Sequence, residues 1–305
     1  MSKRILITGG TGFIGHVLCR ELLTRGYELT VFSRQPAETV KSSCGRVETV
    51  CDLQQLRSSP GYDAVINLAG EGIADKRWTE SRKQILRDSR IGVTESLVEI
   101  ICSWERLPEV LISGSAVGFY GDQGNATVTE NTPPNDEFTH QLCRDWENAT
   151  KPLADTGVRL CFSRTGLVAG PGGGFLERMI LPFKLGLGGR LGPGTQYMPW
   201  VHRDDVVQAL IWMMETQSAK GPFNVVSPNP ATNAEFTRAL GKVLLRPTLC
   251  PVPASILKVA LGEMARLLLT GQKAIPAKLT NEGFTFQYPD LERALSHSLA
   301  GRAGR

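Results

Sequence analysis

Three glycines near the start of the chain have the spacing of a phosphate-binding turn. They follow the apolar run at residues 4–8 without a gap, and a helical pattern of apolar residues begins directly afterwards. A strand, a glycine turn and a helix in this order let the backbone approach a pyrophosphate, which the unpaired N–H groups of the helix N-terminus can bind. The alternative is a glycine-rich turn that binds nothing. We interpret the motif as a dinucleotide site formed by Gly9, Gly12, Phe13, Ile14 and Gly15.

The end of the second expected strand indicates which dinucleotide would bind. Ser33 and Arg34 follow residues 28–32, at the position where NAD-binding proteins of this kind carry an acidic residue. A hydroxyl and a guanidinium can bind a ribose 2′-phosphate, and the strand does not end in a carboxylate that would repel it. This pattern favours NADP(H) over NAD(H). The alternative is that Arg34 is a solvated turn residue.

The elements that must position these residues alternate between strands and helices. This alternation predicts an α/β fold of Rossmann type, a doubly wound parallel sheet with helices on both faces. Ligands of such sheets bind beyond the carboxyl ends of the strands, where the glycine turn lies. We expect strands near 4–8, 28–32, 46–50, 63–67, 109–113 and 158–165, and helices near 13–25, 79–104 and 137–156.

The pattern changes after residue 165. Residues 166–194 contain many glycines around the short apolar segment 175–185, which we interpret as a substrate-side loop and helix. We therefore expect an NADP-binding Rossmann domain over residues 1–226, with substrate-side segments within 166–226. A smaller C-terminal α/β region should follow over residues 227–305. Its expected elements, with those that lead into it, are helices near 204–216, 232–245, 254–270 and from 289, and a strand near 222–226.

Composition limits the classes of function. The 305 residues carry a net charge of +4 from 34 basic and 30 acidic residues, an excess too small and scattered to indicate nucleic acid binding. No signal peptide or membrane-spanning run is recognised. The seven cysteines form no C-x-x-C pair, so we expect no metal site and a reducing, cytoplasmic location. The expected partner is a small-molecule substrate, and formation of a homodimer is possible.

Four further motifs lie where a Rossmann fold would bring them near the glycine turn: Asp52-Leu53, Asn67-Leu68-Ala69-Gly70, Ser113-Gly114-Ser115-Ala116 and Trp200-Val201-His202-Arg203-Asp204-Asp205. With the glycine spacing, they resemble the extended short-chain dehydrogenase/reductase superfamily, which includes nucleotide-sugar epimerases and dehydratases. The resemblance implies that Asp52 and Leu53 lie against adenine, and that Leu68, Ala69 and Gly70 pack on the adenosine half. It also implies that the helix of Arg90 passes the phosphates. The alternatives are a helix cap for Asp52 and a solvated Arg90.

The catalytic pattern of that superfamily is incomplete. Its enzymes use a serine or threonine together with Tyr-x-x-x-Lys, and Ser115 matches the serine. Its hydroxyl would face the substrate, and the alternative is a structural role in the turn. None of the five tyrosines has a lysine four residues later. The dyad positions fall on Thr139 and Cys143 in one register and on His140 and Arg144 in the other. This departure places ordinary reductase or epimerase activity in doubt.

Two residues are candidate replacements for the missing acid. The loop after Ser115 carries one residue more than usual, which could direct Tyr120 into the site. His140 is the second candidate, because an imidazole titrates near neutral pH. The alternatives are that Tyr120 packs against its loop and that His140 caps a helix or faces solvent.

The residues that depart from the superfamily's pattern are similar to those of one of its branches. Residues 113–121, 143–147, 186–189 and 199–202 resemble atypical epimerase-family proteins with a small C-terminal domain of unknown function, which would match about 249–296. The resemblance implies NADP(H) binding and leaves the substrate open. Arg164, Gln196 and Trp200 are the candidate substrate-side residues, with Trp200 as a stacking surface or a core residue.

Two functions are consistent with these observations. The first is an NADP(H)-dependent oxidoreductase or nucleotide-sugar epimerase-like enzyme acting on a small polar substrate. The second is a non-catalytic NADPH-binding redox sensor or scaffold, which the missing Tyr-x-x-x-Lys favours.

Overall fold

The computed structural model describes residues 2–300. Within that range the strands are β1 (Arg4–Thr8), β2 (Glu28–Phe32), β3 (Glu48–Val50), β4 (Ala64–Asn67), β5 (Val110–Ala116), β6 (Thr127–Val128), β7 (Arg159–Thr165), β8 (Leu167–Ala169), β9 (Tyr197–Met198), β10 (Trp200–His202), β11 (Gly221–Val225), β12 (Ala231–Thr232) and β13 (Lys273–Ala274). The α-helices are α1 (Gly15–Thr24), α2 (Ala37–Cys44), α3 (Glu80–Arg87), α4 (Val93–Cys102), α5 (Phe138–Asn148), α6 (Gly174–Lys184), α7 (Arg203–Glu215), α8 (Asn233–Leu244), α9 (Ala254–Leu261), α10 (Arg266–Leu269), α11 (Ala277–Asn281) and α12 (Leu291–Ala300).

The central sheet has seven parallel strands in the order β11-β7-β5-β4-β1-β2-β3. This confirms the Rossmann-type fold. The strand order reverses beside β1, and open sheets of this kind bind ligands at that reversal. The register pairs Thr8 with Asn67 and Asn67 with Ser113, so the carboxyl ends of three strands meet at one edge.

Helices cover both faces of the sheet, as the apolar strands require. On one face Leu18 and Leu22 of α1 and Leu210 of α7 are fully buried in the core cluster that contains Ile5 and Ile7 of β1. On the other face Leu97 and Ile101 of α4 are buried beneath β4 and β5. The glycine turn and the ends of β4 and β5 are therefore fixed by a core on each side.

The helix expected over residues 79–104 contains an irregular turn. Thr79 caps α3 by accepting from the backbone N–H of Arg82, and α3 continues through a π-helical turn at Asp88–Gly92 into α4. Such π-helical turns occur often at functional sites. This one carries Arg90.

The C-terminal region packs on the carboxyl side of the sheet. Its core joins Phe183 of α6, Phe236 and Leu240 of α8 and Leu295 of α12. The expected helix over residues 254–270 is present as α9, a 3-10 turn at Gly262–Ala265 and α10. No helix between residues 2 and 300 is both long and apolar enough to cross a membrane.

Candidate functional site

The glycine turn between β1 and α1 leaves no space for a side chain at Gly9 or Gly15. Gly9 has a φ of +70°, and a Cβ there would lie 2.5 Å from the carbonyl oxygen of Leu68. A Cβ at Gly15 would lie 2.2 Å from the carbonyl oxygen of Gly9. Ile14, the N-cap residue of α1, makes no side-chain hydrogen bond to the first turn. The amides of Gly12 and His16 donate to the carbonyl oxygens of Gly9 and Gly12, so the amides of residues 13–15 are the candidates for binding a diphosphate.

Ser33 and Arg34 lie beside this turn at the end of β2. The side chain of Arg34 is 83% exposed, and its one ion pair within residues 2–300 joins Nη2 to Glu71 Oε1 at 3.5 Å. Ser33 Oγ accepts from the backbone N–H of Gln35 at 3.2 Å. An incoming phosphate could therefore reach the guanidinium by displacing one long, solvent-exposed contact.

Asp52 caps a short helix, which was the alternative considered for it. Its Oδ1 accepts from the backbone N–H of Gln54 at 2.9 Å, at the start of the 3-10 helix Leu53–Ser58. Leu53 packs partly buried against the core. Asp52 is an exposed residue, so it can cap this helix and also contact adenine. The contact with adenine stays a prediction.

The segment after β4 is tied to both the glycine turn and the π-helical turn. The Ala69 backbone N–H donates to Thr8 Oγ1 at 3.2 Å, and Leu68 packs on the core. A Cβ at exposed Gly70 would lie 3.1 Å from Cζ of Arg90. The Arg90 guanidinium donates to the carbonyl oxygen of Glu71 at 2.7 Å, and burial lowers its pKa. Arg90 is therefore held beside this segment and is not a solvated residue.

Ser115 belongs to a buried polar network beneath the carboxyl edge of the sheet. Its Oγ donates to Glu147 Oε1 at 2.6 Å. The guanidinium of Arg164 donates to both Glu147 oxygens at 2.8 Å, with side-chain exposures of 5% for Arg164 and 11% for Glu147. Sequence reasoning missed Glu147, because a glutamate in a helix is usually solvated and only the packing shows this one to be buried.

Tyr120 is the far end of the same network. Its hydroxyl donates to Asn224 Oδ1 at 2.7 Å and accepts from Arg164 Nη1 at 3.0 Å. The residue is fully buried, and that burial raises its pKa to about 12. The extra residue of the loop thus does not turn the phenol toward the site, because the 3-10 turn Val117–Tyr120 directs the ring into a small apolar cluster.

His140 also faces the interior. Its Nδ1 lies 2.7 Å from the carbonyl oxygen of Phe119, and its ring packs edge-on against the Phe119 ring at 5.0 Å. The residue is buried. The structure therefore brings neither candidate acid, nor Ser115, to the cleft at the carboxyl edge of the sheet.

A cleft of 1390 Å³ opens at the carboxyl edge of the sheet. It runs from Phe13 of the glycine turn past residues 116–118 to α6 and the C-terminal residues 261–268. Phe13 connects the two sides, because Cβ atoms at Gly173 and Gly174 would lie 2.7 and 2.8 Å from its ring. The glycines of this loop thus let it lie directly on the candidate cofactor turn.

The cleft also distinguishes the two registers of the missing dyad. Thr139 and Cys143 of α5 line it, whereas His140 and Arg144 do not. Burial raises the pKa of Cys143 to about 12, so the thiol stays neutral near physiological pH. The lysine position is therefore occupied by a group without charge.

The three candidate substrate-side residues lie in different places. Gln196 lines the cleft, and its Nε2 donates to the carbonyl oxygens of Leu191 and Leu268 at 2.9 and 2.7 Å. Arg164 is committed to Glu147 and does not line the cleft. Trp200 is buried in the C-terminal core, where its indole N–H donates to the carbonyl oxygen of Asn229 at 3.1 Å. Of the three, the structure brings Gln196 alone to the cleft.

His202 ties its loop to α7. Its Nδ1 accepts from the backbone N–H of Asp204 at 3.1 Å and so caps the helix. With Nδ1 as acceptor, the proton of the neutral ring is on Nε2, which faces Nδ1 of His297 at 3.1 Å. One ligand atom from each of His202, Asp204 and His297 lies within 4.8 Å of the other two, but the facing nitrogens already satisfy each other.

We expect His202 to make stability depend on pH. Burial lowers its pKa to about 4 in the folded chain, against about 6.5 when unfolded. Below about pH 6.5 the unfolded state gains a proton that the folded state does not, so stability falls until about pH 4, by about 3 kcal/mol. Urea unfolding over this pH range measures the loss.

The variant His202→Asn is the matched control for this dependence. Asparagine keeps an oxygen acceptor for the helix cap but does not titrate. Its free energy of unfolding should therefore change less between neutral pH and pH 4 than that of the parent chain. Equal pH dependence in both proteins would contradict the assignment to His202.

Comparisons with known proteins agree with the fold. The model of the NAD dependent epimerase/dehydratase family matches residues 5–226, and a domain of unknown function, DUF1731, matches residues 252–298. An epimerase family protein of Mycobacterium tuberculosis, MT2273, is 40% identical over 96% of this chain and 97% of its own length. The Bacillus subtilis epimerase family protein YfhF is 37% identical over 98% of both chains.

A solved structure extends the likeness to three dimensions. The crystal structure of human epimerase family protein SDR39U1 (isoform 2) with NADPH matches with a TM-score of 0.89 and 35% identity, over 97% of this chain and 99% of that chain. The resemblance drawn from the motifs is confirmed. The seven-stranded sheet, the glycine turn and the two family matches together show that this chain belongs to the NAD-dependent epimerase/dehydratase family.

Proposed function

We propose that the chain binds NADP(H) at the glycine turn and the end of β2, and acts as an oxidoreductase on a carbonyl or alcohol group held in the cleft. The exposed Arg34 guanidinium carries the proposal, because it lies where the 2′-phosphate of a dinucleotide would extend beyond the turn. The human relative that was crystallised with NADPH supports the same choice.

Each predicted cofactor residue has a place in this proposal. The amides of residues 13–15 in the glycine turn hold the diphosphate, and Ser33 and Arg34 hold the 2′-phosphate. Asp52 and Leu53 border adenine, and Leu68, Ala69 and Gly70 border the adenosine ribose, with Arg90 behind them. NADP(H) supplies or accepts a hydride when bound.

The protein side of the reaction falls to the end of β5 and the start of α5. Ser115 is buried and does not line the cleft, and its hydroxyl donates to Glu147, so in this proposal it positions the end of β5. Thr139 of α5 lines the cleft, so its hydroxyl is the candidate group for a substrate oxygen. Tyr120 and His140 act in this proposal as supports of the loop, because their polar atoms are committed elsewhere.

An NADPH-binding sensor is the second candidate, and the residues at the dyad positions favour it. Thr139 and a neutral Cys143 supply neither the cation nor the acidic phenol that reductases of this superfamily use. Oxidation of NADPH by the purified protein, measured with quinones, aldehydes and nucleotide-keto-sugars, separates the two functions. Tight NADPH binding without turnover of any of these would support the sensor.

We expect Arg34→Ala to weaken NADPH binding by about ten- to a hundredfold, because a charge-assisted hydrogen bond contributes about 1.5–3 kcal/mol. NADH lacks the 2′-phosphate, so its dissociation constant should change by less than about threefold. Isothermal titration of both cofactors measures the two constants.

Arg106→Ala is the control for nonspecific charge loss. Arg106 pairs with Asp63 and has an exposed side chain, near the amino end of β4 and away from the glycine turn. It should leave both constants unchanged. Equal losses of NADPH and NADH affinity in the Arg34 variant would contradict the 2′-phosphate assignment.

We also propose a reducing compartment such as the cytoplasm. All seven cysteines are free, although Cys19 and Cys44 are buried close together. The homodimer stays a prediction, to be tested by analytical ultracentrifugation.

A further inference from the structure

The cleft is larger than a typical small-molecule site. Its 1390 Å³ compares with about 300–1,000 Å³ for ordinary ligand pockets. One wall is the end of β5 and α5, and the other is the C-terminal region. A ligand that fills it would touch the proposed cofactor site at one end and residues 261–268 at the other.

The wall formed by the C-terminal region is apolar. Leu261, Met264, Leu267 and Leu268 line it on successive turns of α9, the 3-10 turn and α10. Leu268 remains 36% exposed, a large apolar side chain at an open surface. Such a surface is favourable for binding apolar molecules, because their contact with it removes both from water.

The opposite side of the cleft adds aromatic groups. Phe13, Phe175 and Met179 lie beneath the glycine-rich loop and α6. Trp78 and Phe138 meet edge-on at 5.0 Å and also line the cleft. Aromatic rings and methionines bind flat, uncharged molecules by close packing rather than by hydrogen bonds.

The charged groups of the cleft are unsuited to a diphosphate. Among the described lining residues the basic side chains are Arg178 and Arg266, and each already has a carboxylate partner. Arg178 pairs with Asp75, and Arg266 pairs with Glu137 at 2.6 Å. The acidic lining residues are Asp75, Asp122, Asp136, Glu137 and Glu263. A nucleoside diphosphate would therefore meet net negative charge and would have to break an ion pair to gain a cation.

From the apolar walls and the paired cations, we propose that the cleft takes an uncharged, largely apolar carbonyl compound and not a nucleoside-diphosphate sugar. This inference rests on the proposed function, and it replaces the small polar substrate expected from the sequence. The carbonyl end lies toward Ala116 and Thr139, and the apolar body lies along residues 261–268.

The test compares two ligand classes on the full chain saturated with NADP⁺, which cannot reduce an aldehyde and so allows binding to be measured without turnover. The probes are 2-naphthaldehyde and decanal for the apolar class and UDP-glucose for the nucleotide class, each measured by isothermal titration. We expect the aldehydes to bind at least about tenfold tighter than UDP-glucose, which corresponds to about 1.4 kcal/mol. Equal or tighter binding of UDP-glucose, or no binding of either aldehyde, would overturn the proposal.

A pair of variants locates the binding. Leu268→Glu places a carboxylate in the apolar wall and should weaken aldehyde binding by about tenfold or more, because the charge would lose water on contact with the ligand. Leu249→Glu makes the same change at a side chain that is 82% exposed and outside the cleft, and it should have no effect. Equal effects of the two variants would show that the aldehydes bind elsewhere and would overturn the proposal.

NADPH binding is measured first, in its own titration, so that failure of the proposed function can be told apart from failure of the proposed substrate class. A chain that binds no NADPH refutes the proposed function, and the aldehyde titrations without cofactor still report on the cleft. A chain that binds NADPH and prefers UDP-glucose refutes the substrate class alone.

Discussion

The Glu147→Ala variant should lose about 3–5 kcal/mol of stability, the largest loss we expect from a single substitution in this chain. Glu147 accepts from both Ser115 and Arg164, and the Arg164 side chain is almost fully buried. Removing the carboxylate leaves a guanidinium charge in the interior without its partner. It also leaves the Ser115 hydroxyl without its acceptor.

Urea unfolding of the variant and the parent chain measures this loss. Arg144→Ala is the control on the same helix, because its ion pair with Asp145 is solvent-exposed and should contribute less than about 1 kcal/mol. If Glu147→Ala does not fold, Glu147→Gln keeps the shape and one acceptor oxygen and should show a smaller loss.

A double variant shows how much of the lost stability comes from leaving the Arg164 charge unpaired and how much from removing the Glu147 side chain. Glu147→Met with Arg164→Met removes both charges and keeps much of the buried volume, so it should be more stable than Glu147→Ala, because buried pairs are often replaceable by apolar residues. A free energy of unfolding for Glu147→Ala within about 1 kcal/mol of the parent would contradict a buried charge that depends on this carboxylate.

The central sheet was predictable because its strands are buried on both faces. Ile5, Ile7, Val65 and Ile66 are fully buried, and a run of such residues is typical of a parallel sheet. Helix α2 was not predicted, because Ala37–Cys44 is short, mostly polar and follows Pro36. Its place in the fold comes from Val40 and Cys44, which pack on the sheet core.

The arrangement beneath the site was not predictable from spacing. Tyr120 and Asn224 are 104 positions apart, and Ser115 and Glu147 are 32 apart, yet each pair is joined by one hydrogen bond. The count of residues after Ser115 suggested that Tyr120 could enter the site, but long-range partners hold the phenol in the interior.

The rotation of α5 about its axis was also not predictable from the sequence. Residues 139 and 143 share one face of a helix, and residues 140 and 144 share the next. Sequence alone left both registers open, because the rotation of a helix depends on what it packs against. Here Trp146 is buried beneath Gly114, where a Cβ would lie 2.8 Å from its ring, and this packing turns Thr139 and Cys143 toward the cleft.

The Gly15→Ala variant should lose NADPH affinity by about a hundredfold or more, which corresponds to about 2.7 kcal/mol. An alanine Cβ would lie 2.2 Å from the carbonyl oxygen of Gly9 and 2.7 Å from Cα of Gly10, so the turn must open. Opening the turn moves the amides that we propose to hold the diphosphate. Hydrogen bonds to a charged group contribute about 1.5–3 kcal/mol each, so losing two of them accounts for the effect.

Thr24→Ala is the matched control, because it changes an exposed residue at the other end of α1 and leaves the turn intact. Its NADPH affinity should equal that of the parent chain. Circular dichroism and thermal unfolding without cofactor show whether Gly15→Ala remains folded. If Gly15→Ala is folded and binds NADPH with unchanged affinity, the diphosphate does not lie at the glycine turn. The new Cβ must displace the amides of the turn, so a diphosphate bound by them would be lost or weakened.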